Sequence, residues 1–328
     1  MTGSERDTRP GGPPDGKVYG RVPLPGSRVL SIRSMQATDS SGLVALYAGL
    51  NEDDLYCRFF TAHAPPEQFV ETMARVEERG GFGMVAITEE ADGTSHLVGE
   101  ATCQPLPNGD GELGITVAEQ ARGWLGPYLL DTLLQEAAAR GVPNVEADVL
   151  LLNRRMLSLL RSRGFATIEH SEQPTIARVL IGTTSRVPGW PGAHERPRLL
   201  VEVPGGHWHA EQAARTAGFQ IVTCPGPGGP WSHCPARRGE PCPLVAGADV
   251  VVDAVPAEAG TSLLEAHRRA HPTVPVCVQV PAGTHDAEGA EGAEAFLPQG
   301  ADDALVMGIL QRMAAWPPAG HPQGDPAG

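Results

Sequence analysis

The chain contains no run of 18 apolar residues, which excludes a membrane-spanning helix. It is short of positive charge: 25 Lys and Arg face 39 Asp and Glu, for a formal net charge of −14. Nucleic acids and anionic membranes both reward a basic face, so neither is expected as a partner. Cysteine is sparse as well. Six thiols at uneven spacing are too few for a disulfide scaffold in 328 residues. The N-terminal MTGSERDTRPGGPPDGK lacks the apolar segment of a secretory signal, and together these absences point to a cytoplasmic chain.

At 41% hydrophobic residues the chain can bury real cores, and its length suits two domains better than one. The 40 Gly and 31 Pro imply many loops and loose ends. Residues 1–27 and 317–328 are expected to be disordered tails, and 184–197 a linker by composition. Between them lie two α/β domains, 28–183 and 198–316.

In the first domain VLSIRSM, GMVAITEE, HLVGEATCQ, ELGITV, VEADVLL and TIARVLIG have strand character. Thr38 or Asp39 can cap a helix running to Leu50, and Phe69, Met73 and Val76 place helical spacing in 65–79. Leu129, Leu130, Leu133, Leu134 and Ala137 predict a helix over 127–140 that Gly141 ends, and a shorter helix over 154–163 stops at Gly164. The richest stretch is Gly111–Phe165. There a strand carrying Glu112 hands over through a glycine turn to a helix, and a second strand leads to Asn153 and a helix ending in Gly164-Phe165. A helix N-terminus after a glycine turn offers unpaired N–H groups and a positive dipole end to a phosphate.

Three segments in 29–182 together resemble the GNAT acetyltransferase superfamily, closest to the GNAT domains of bacterial protein-lysine acetyltransferases. LNEDDLYCRFF (Leu50–Phe60) is similar to the family's element ending Arg-Phe-Phe. GELGITV resembles its fourth strand, and EADVLLLNRRMLSLLRSRGF its fifth strand and following helix. The resemblance implies a mixed-sheet GNAT fold, acetyl-CoA as co-substrate and an amine acceptor, either a protein lysine or a small molecule. It implies Glu112 as general base, because an ammonium must lose a proton before it can attack a thioester. It places the cofactor at Ile115, Val117, Arg122, Gly123, Trp124, Leu125, Gly126 and Asn153, the backbone near Ile115 and Val117 polarising the thioester carbonyl. By itself Glu112 also fits a carboxylate on the solvent face of a half-exposed strand. Trp124 fits either a cofactor contact or a core residue.

The pyrophosphate turn departs from the family's Gln/Arg-x-x-Gly-x-Gly/Ala. In one frame Ala121 and Trp124 replace the first two signature residues and Gly126 keeps the last. In the other, Gln120 and Gly123 match and Leu125 takes the small position. Pro127, expected at the first helical position, supplies no N–H, and Arg122 could replace that donor with its side chain. Leu160 stands where many members carry a Tyr. A non-catalytic acyl-CoA sensor is therefore the alternative reading.

The second domain alternates RLLVEV, FQIVTC, ADVVVDAV and VPVCVQV with helical segments, the pattern of a parallel sheet of receiver-like or flavodoxin-like type. The receiver's phosphorylation chemistry is missing: RLLVEVPGGHW offers no acidic pair, Asp253 alone could stand for the central Asp, and AFLPQG has no Lys. Cys224, Cys234 and Cys242, with His233 beside them and His207 and His209 at hand, are candidate ligands for zinc or an iron–sulfur cluster. They lack a C-x-x-C pair and fit equally a Pro-rich loop with free thiols or one disulfide, so no metal is assigned.

Overall fold

The computed structural model describes residues 16–164, 166–170, 175–204, 206–226, 234–255, 257–282 and 292–314, with backbone alone for 166–170 and 257–262. Phe165, His233, the first 15 residues and the 317–328 tail lie outside the described residues. The chain forms two compact units, one of 1–104 and 113–133, the other of 105–112 and 134–328.

In the first unit β1 (Val18–Leu24), β2 (Arg28–Ser34), β3 (Phe82–Glu89) and β4 (Ser95–Pro105) pair antiparallel in that order, followed by β5 (Gly111–Val117). Three short helices, α1 (Ser40–Ala48), α2 (Glu52–Phe59) and α3 (Glu67–Ala74), separate β2 from β3. Asn51 caps α2 by accepting from the Asp54 N–H at 2.9 Å, and Glu52, Asp53 and Asp54 complement the positive end of its dipole. α3 buries Val70, Met73 and Ala74, whereas Phe69 stays exposed and sets its ring edge-on to Phe59. Of the expected stripe, Met73 and Val76 are buried, while Val70 takes the inward place expected of Phe69.

β1 corrects the expectation of a disordered lead-in over 1–27. Its Gly and Pro content hides a strand held by backbone pairing to β2 more than by apolar burial. Gly20 is needed there, because a Cβ at that position would overlap the Tyr128 hydroxyl. Helix α4 spans Leu125–Ala139, so Pro127 is its third residue and not its first. Leu125 opens the helix because its side chain is fully buried and anchors the first turn.

The second unit contains β6 (Asn144–Leu150), α5 (Arg154–Arg161), β7 (Ala166–His170), β8 (Ile176–Gly182), β9 (Arg198–Glu202), α6 (Glu211–Thr216), β10 (Gln220–Cys224), α7 (Pro243–Ala246), β11 (Val250–Asp253), α8 (Ala257–Ala270), β12 (Val276–Val280), β13 (Ala295–Pro298) and α9 (Asp303–Ala314). β8 lies antiparallel between β6 and β7. The parallel strands run β10-β9-β11-β12-β13, the 2-1-3-4-5 order of flavodoxin-like doubly wound sheets. β9, β10 and β11 bury Leu199, Val201, Ile221, Val250 and Val252 on one side, and Leu200, Val222 and Val251 on the other.

Within 184–197 the chain has neither helix nor strand, yet it is packed down. Trp190 joins the core formed by Leu180, Leu200, Val222, Leu244 and Val251. Its indole N–H donates to the Leu244 carbonyl at 2.7 Å, and Gly247 has no Cβ because the Trp190 ring occupies that space. Asn144, itself bonded to Asp110 at 3.0 Å, accepts from the Gly189 N–H at 3.1 Å. Burial pushes the Asp110 carboxyl up to about 6, against the opposing Asn144 donors.

Candidate active site

In the first unit the turn after β5 is built in three steps. The Ala118 N–H donates to the Val98 carbonyl at 2.9 Å, a one-turn 3-10 segment covers Glu119–Ala121, and Gly123 then takes φ +89°. Nothing lies within 4 Å of where a Gly123 Cβ would point, so the glycine serves conformation and not space. α4 follows directly. Its close approach depends on Gly99 of β4, where an added Cβ would come to 3.0 Å from Leu125 and Leu129 and 3.2 Å from the Thr116 carbonyl. The first N–H groups of α4 have no partners within the helix, and Pro127 removes the third of them.

Side chains around this turn fall into two groups. Ile115 and Val117 are half-buried, Gly123 is exposed and Trp124 is 42% exposed. Trp124 is therefore not a core residue. Leu125, by contrast, is wholly buried, so only its backbone is available to a ligand. Arg122 pairs with Asp54 of α2, which ties the turn to that helix. The expected replacement phosphate donor thus already has a carboxylate partner.

Sequence reasoning did not find the buried polar cluster beneath β5. Glu100 of β4 is 0% exposed, and its Oε1 accepts from the Thr116 hydroxyl at 2.7 Å. The same oxygen accepts from Arg58 of α2, at 3.3 Å from Nε and 3.2 Å from Nη2. Nε also lies 3.0 Å from Thr116 Oγ1. Burial, and next the Glu100 charge, push the Tyr47 phenol above its ordinary value. The one sequence signal was the Arg-Phe-Phe element, which includes Arg58.

In the second unit Glu112, second residue of β5, is exposed and pairs in register with Glu146 of β6. It makes no hydrogen bond or ion pair among the described residues. Asn153 is the N-cap of α5, its side-chain oxygen accepting from the Met156 N–H at 3.1 Å. That leaves its amide N–H₂ for other contacts. Leu160, in the Tyr position, is buried.

The carboxyl ends of the parallel strands hold a second polar centre. Glu202 ends β9, Asp253 ends β11, and His267 of α8 places Nε2 at 2.9 and 3.0 Å from the two Glu202 oxygens; all three are at most 2% exposed. Burial and then the Glu202 charge push Asp253 up to about 7. Burial alone would lower His267, but the Glu202 charge and hydrogen bond outweigh it and leave its pKa raised. The Cys224, Cys234 and Cys242 thiols are all pushed up, chiefly by burial, Cys242 to about 12. Burial thus favours the thiol over the thiolate that a metal needs. No group of three or more His, Cys, Asp or Glu among the described residues is arranged to hold a metal ion.

Residues 51–165 match the family model described as the acetyltransferase (GNAT) family. Among solved structures, the chain is similar to the GNAT domain of a Streptomyces lividans PAT protein, at 19% identity and TM-score 0.43. That alignment covers 50% of this chain and 96% of the other. It is similar to a putative acetyltransferase from Salmonella typhimurium solved with acetyl-CoA, at 17% identity and TM-score 0.38, covering 47% and 94%. A ribosomal-protein-alanine N-acetyltransferase from Brucella melitensis gives 24% identity and TM-score 0.36, covering 45% and 96%.

Proposed function

We propose that the GNAT acetyltransferase domain of this chain transfers an acetyl group from acetyl-CoA to an amine. The reading is carried by the family match over 51–165, and the open glycine turn that leads into α4 within that span supports it. The pyrophosphate meets the N–H groups of Leu125 and Gly126 at the positive end of the α4 dipole. Gly123 keeps the approach clear and Trp124 flanks it; Asn153, the other expected cofactor contact, keeps its amide N–H₂ available in the second unit. The thioester lies along β5, with backbone at Ile115 and Val117 as donors to the carbonyl oxygen. A donor of this kind is worth roughly 100- to 1,000-fold in rate.

Glu112, exposed and without an ion pair among the described residues, takes the proton of the incoming ammonium directly or through water. The neutral nitrogen then attacks the thioester carbon, and as the oxyanion collapses and the carbon–sulfur bond breaks the nitrogen gives up its extra proton to solvent, leaving a neutral amide. The departing thiolate takes up a proton from solvent, since Leu160 offers none. The acceptor is a cationic amine, a choice the net charge of −14 favours. Cytoplasmic residence and a receiver-like regulatory role for 198–316 belong to the same reading.

Calorimetry with acetyl-CoA tests the binding step, and absence of heat at millimolar ligand would remove it. Glu112→Gln is expected to keep that heat and to lose at least about 100-fold in kcat; unchanged turnover would take Glu112 out of its role. The chain holds one lysine, Lys17, so self-modification adds at most one side-chain site to a labelled-acetyl assay. A sensor that binds acyl-CoA without turnover is the second reading, favoured by the Arg122–Asp54 pair within the turn. Heat with acetyl-CoA, without transfer to any amine tried, would select it.

A further inference from the structure

The buried cluster under β5 contains more polar chemistry than a structural core needs. Glu100 is a wholly desolvated carboxylate beside the Tyr47 phenol, and its Oε2 meets no well-aligned donor among the described residues. A hydrophobic residue there would spare that desolvation. Glu100 is reached instead by Arg58, 42 residues away on α2, and by Thr116 on β5. Gly114 and Thr116 share one face of β5. An added Cβ at Gly114 would overlap Arg58 Nη2 and come to 2.7 Å from the Thr102 hydroxyl. The guanidinium therefore fills the space beside Gly114 that a side chain there would need, with its Nε between Glu100 and Thr116.

We propose that Arg58 is a positioning residue for the transfer reaction. Clamped by Glu100 and Thr116 and seated against Gly114, it fixes the backbone of Gly114–Thr116 relative to β4 and α2. This rests on the reading that the thioester lies along β5, because Ile115 sits inside the clamped stretch. The donor that polarises the carbonyl works only if it is aimed before the charge develops. The planar fork of arginine suits this role, because Nε and Nη2 both reach Glu100 while Nε also meets Thr116. A lysine keeps the charge but supplies one point donor and leaves the space over Gly114 empty. The clamp also places α2, whose Asp54 pairs with Arg122, so one short helix touches both β5 and the turn that follows it.

The test uses the full chain with Arg58→Lys and Thr116→Val, the latter removing one hydroxyl at constant volume. Both variants are expected to bind acetyl-CoA within about threefold of wild type, because the α4 N-terminus is untouched. Their kcat should fall by about 10- to 100-fold, the scale set by misplacing reacting groups by an ångström or less. The acetyl carbonyl stretch of bound carbonyl-labelled acetyl-CoA should shift back towards its free value in infrared difference spectra. That readout needs no acceptor, and a purely structural role would leave it unmoved. A carbonyl frequency equal to wild type in a folded Thr116→Val protein overturns the proposal, as does kcat within twofold of wild type in both variants. If wild type does not bind acetyl-CoA, the reading of the site fails first and the clamp fails with it. If wild type shows a polarised carbonyl that both variants retain, the clamp alone fails.

Discussion

Replacing Asp253 by Asn should stabilise the protein at neutral pH and leave it little changed in acid. Asp253 ends β11 with Oδ1 accepting from the Val255 N–H at 3.0 Å, while Oδ2 is buried without a hydrogen-bond partner among the described residues. Burial, and next the Glu202 charge, raise its carboxyl from 3.8 to about 7. In the unfolded chain the same group ionises near 3.8. The folded state therefore holds the proton more tightly, and its stability falls as pH rises between these two values. Above pH 7 the loss is complete and the curve flattens. Each pH unit in that window costs about 1.4 kcal/mol, so the loss between pH 5 and pH 7 is about 3 kcal/mol. An asparagine does not titrate. The stability of Asp253→Asn relative to wild type should accordingly grow by about 3 kcal/mol from pH 5 to pH 8, as an order of magnitude. His267 pulls in the same direction, since a raised histidine pKa contributes stability that is lost as pH rises. The Asp253 charge helps to raise His267, so the difference between the two proteins reports Asp253 together with its coupling to that imidazole. Urea unfolding, followed by fluorescence of the buried Trp190 and Trp208, at pH 5, 6, 7 and 8 supplies the numbers. A difference that stays flat with pH, or shrinks towards pH 8, would refute the reasoning and return Asp253 to an ordinary ionised carboxylate.

Gly123→Ala keeps open space around the new methyl, so its cost is conformational, about 1–2 kcal/mol for a side chain at φ +89°. Thermal melts should show that loss, and calorimetry should show weaker acetyl-CoA binding; wild-type affinity would detach the turn from the ligand. Trp190→Ala should cost about 3–5 kcal/mol, because it empties a core site and removes the indole bond to Leu244. A loss under about 1 kcal/mol in urea unfolding would mean that 184–197 is a loose linker after all.

What was legible in the sequence was whatever repeats locally. The strands VLSIRSM, GMVAITEE and FQIVTC, the leucine stripe of α4 and the alternating βα pattern after residue 198 all rest on side-chain periods of 2 or 3.6. β1 was lost because its strand is defined by hydrogen bonds to β2, and Gly20 and Pro23 carry the composition of a loop. Pro127 has the chemistry of a first helical position, but Leu125, wholly buried, starts α4 two residues earlier. Asn153 and Glu112 were visible as motif positions, but the cap on Met156 and the exposure of Glu112 were not.

The polar centres were the least legible feature, for a physical reason. Glu100 and Arg58 are 42 residues apart, and Glu202 and His267 are 65 apart. No local period relates either pair, and a single Glu in VGEA or VEVP has the chemistry of a surface residue until its partner is known. Burying a lone carboxylate costs several kcal/mol, so such a residue implies a distant cation or proton without naming its source. The two centres answer that demand differently. Glu100 takes a guanidinium, a permanent charge that cannot be titrated away at neutral pH. Glu202 takes an imidazole and sits beside a carboxyl that titrates near 7, so its balance shifts with pH. The first arrangement suits a strand that must hold one geometry through every turnover. The second suits a module whose state can change, and a stability difference for Asp253→Asn that grows with pH is the mark of such a titrating centre.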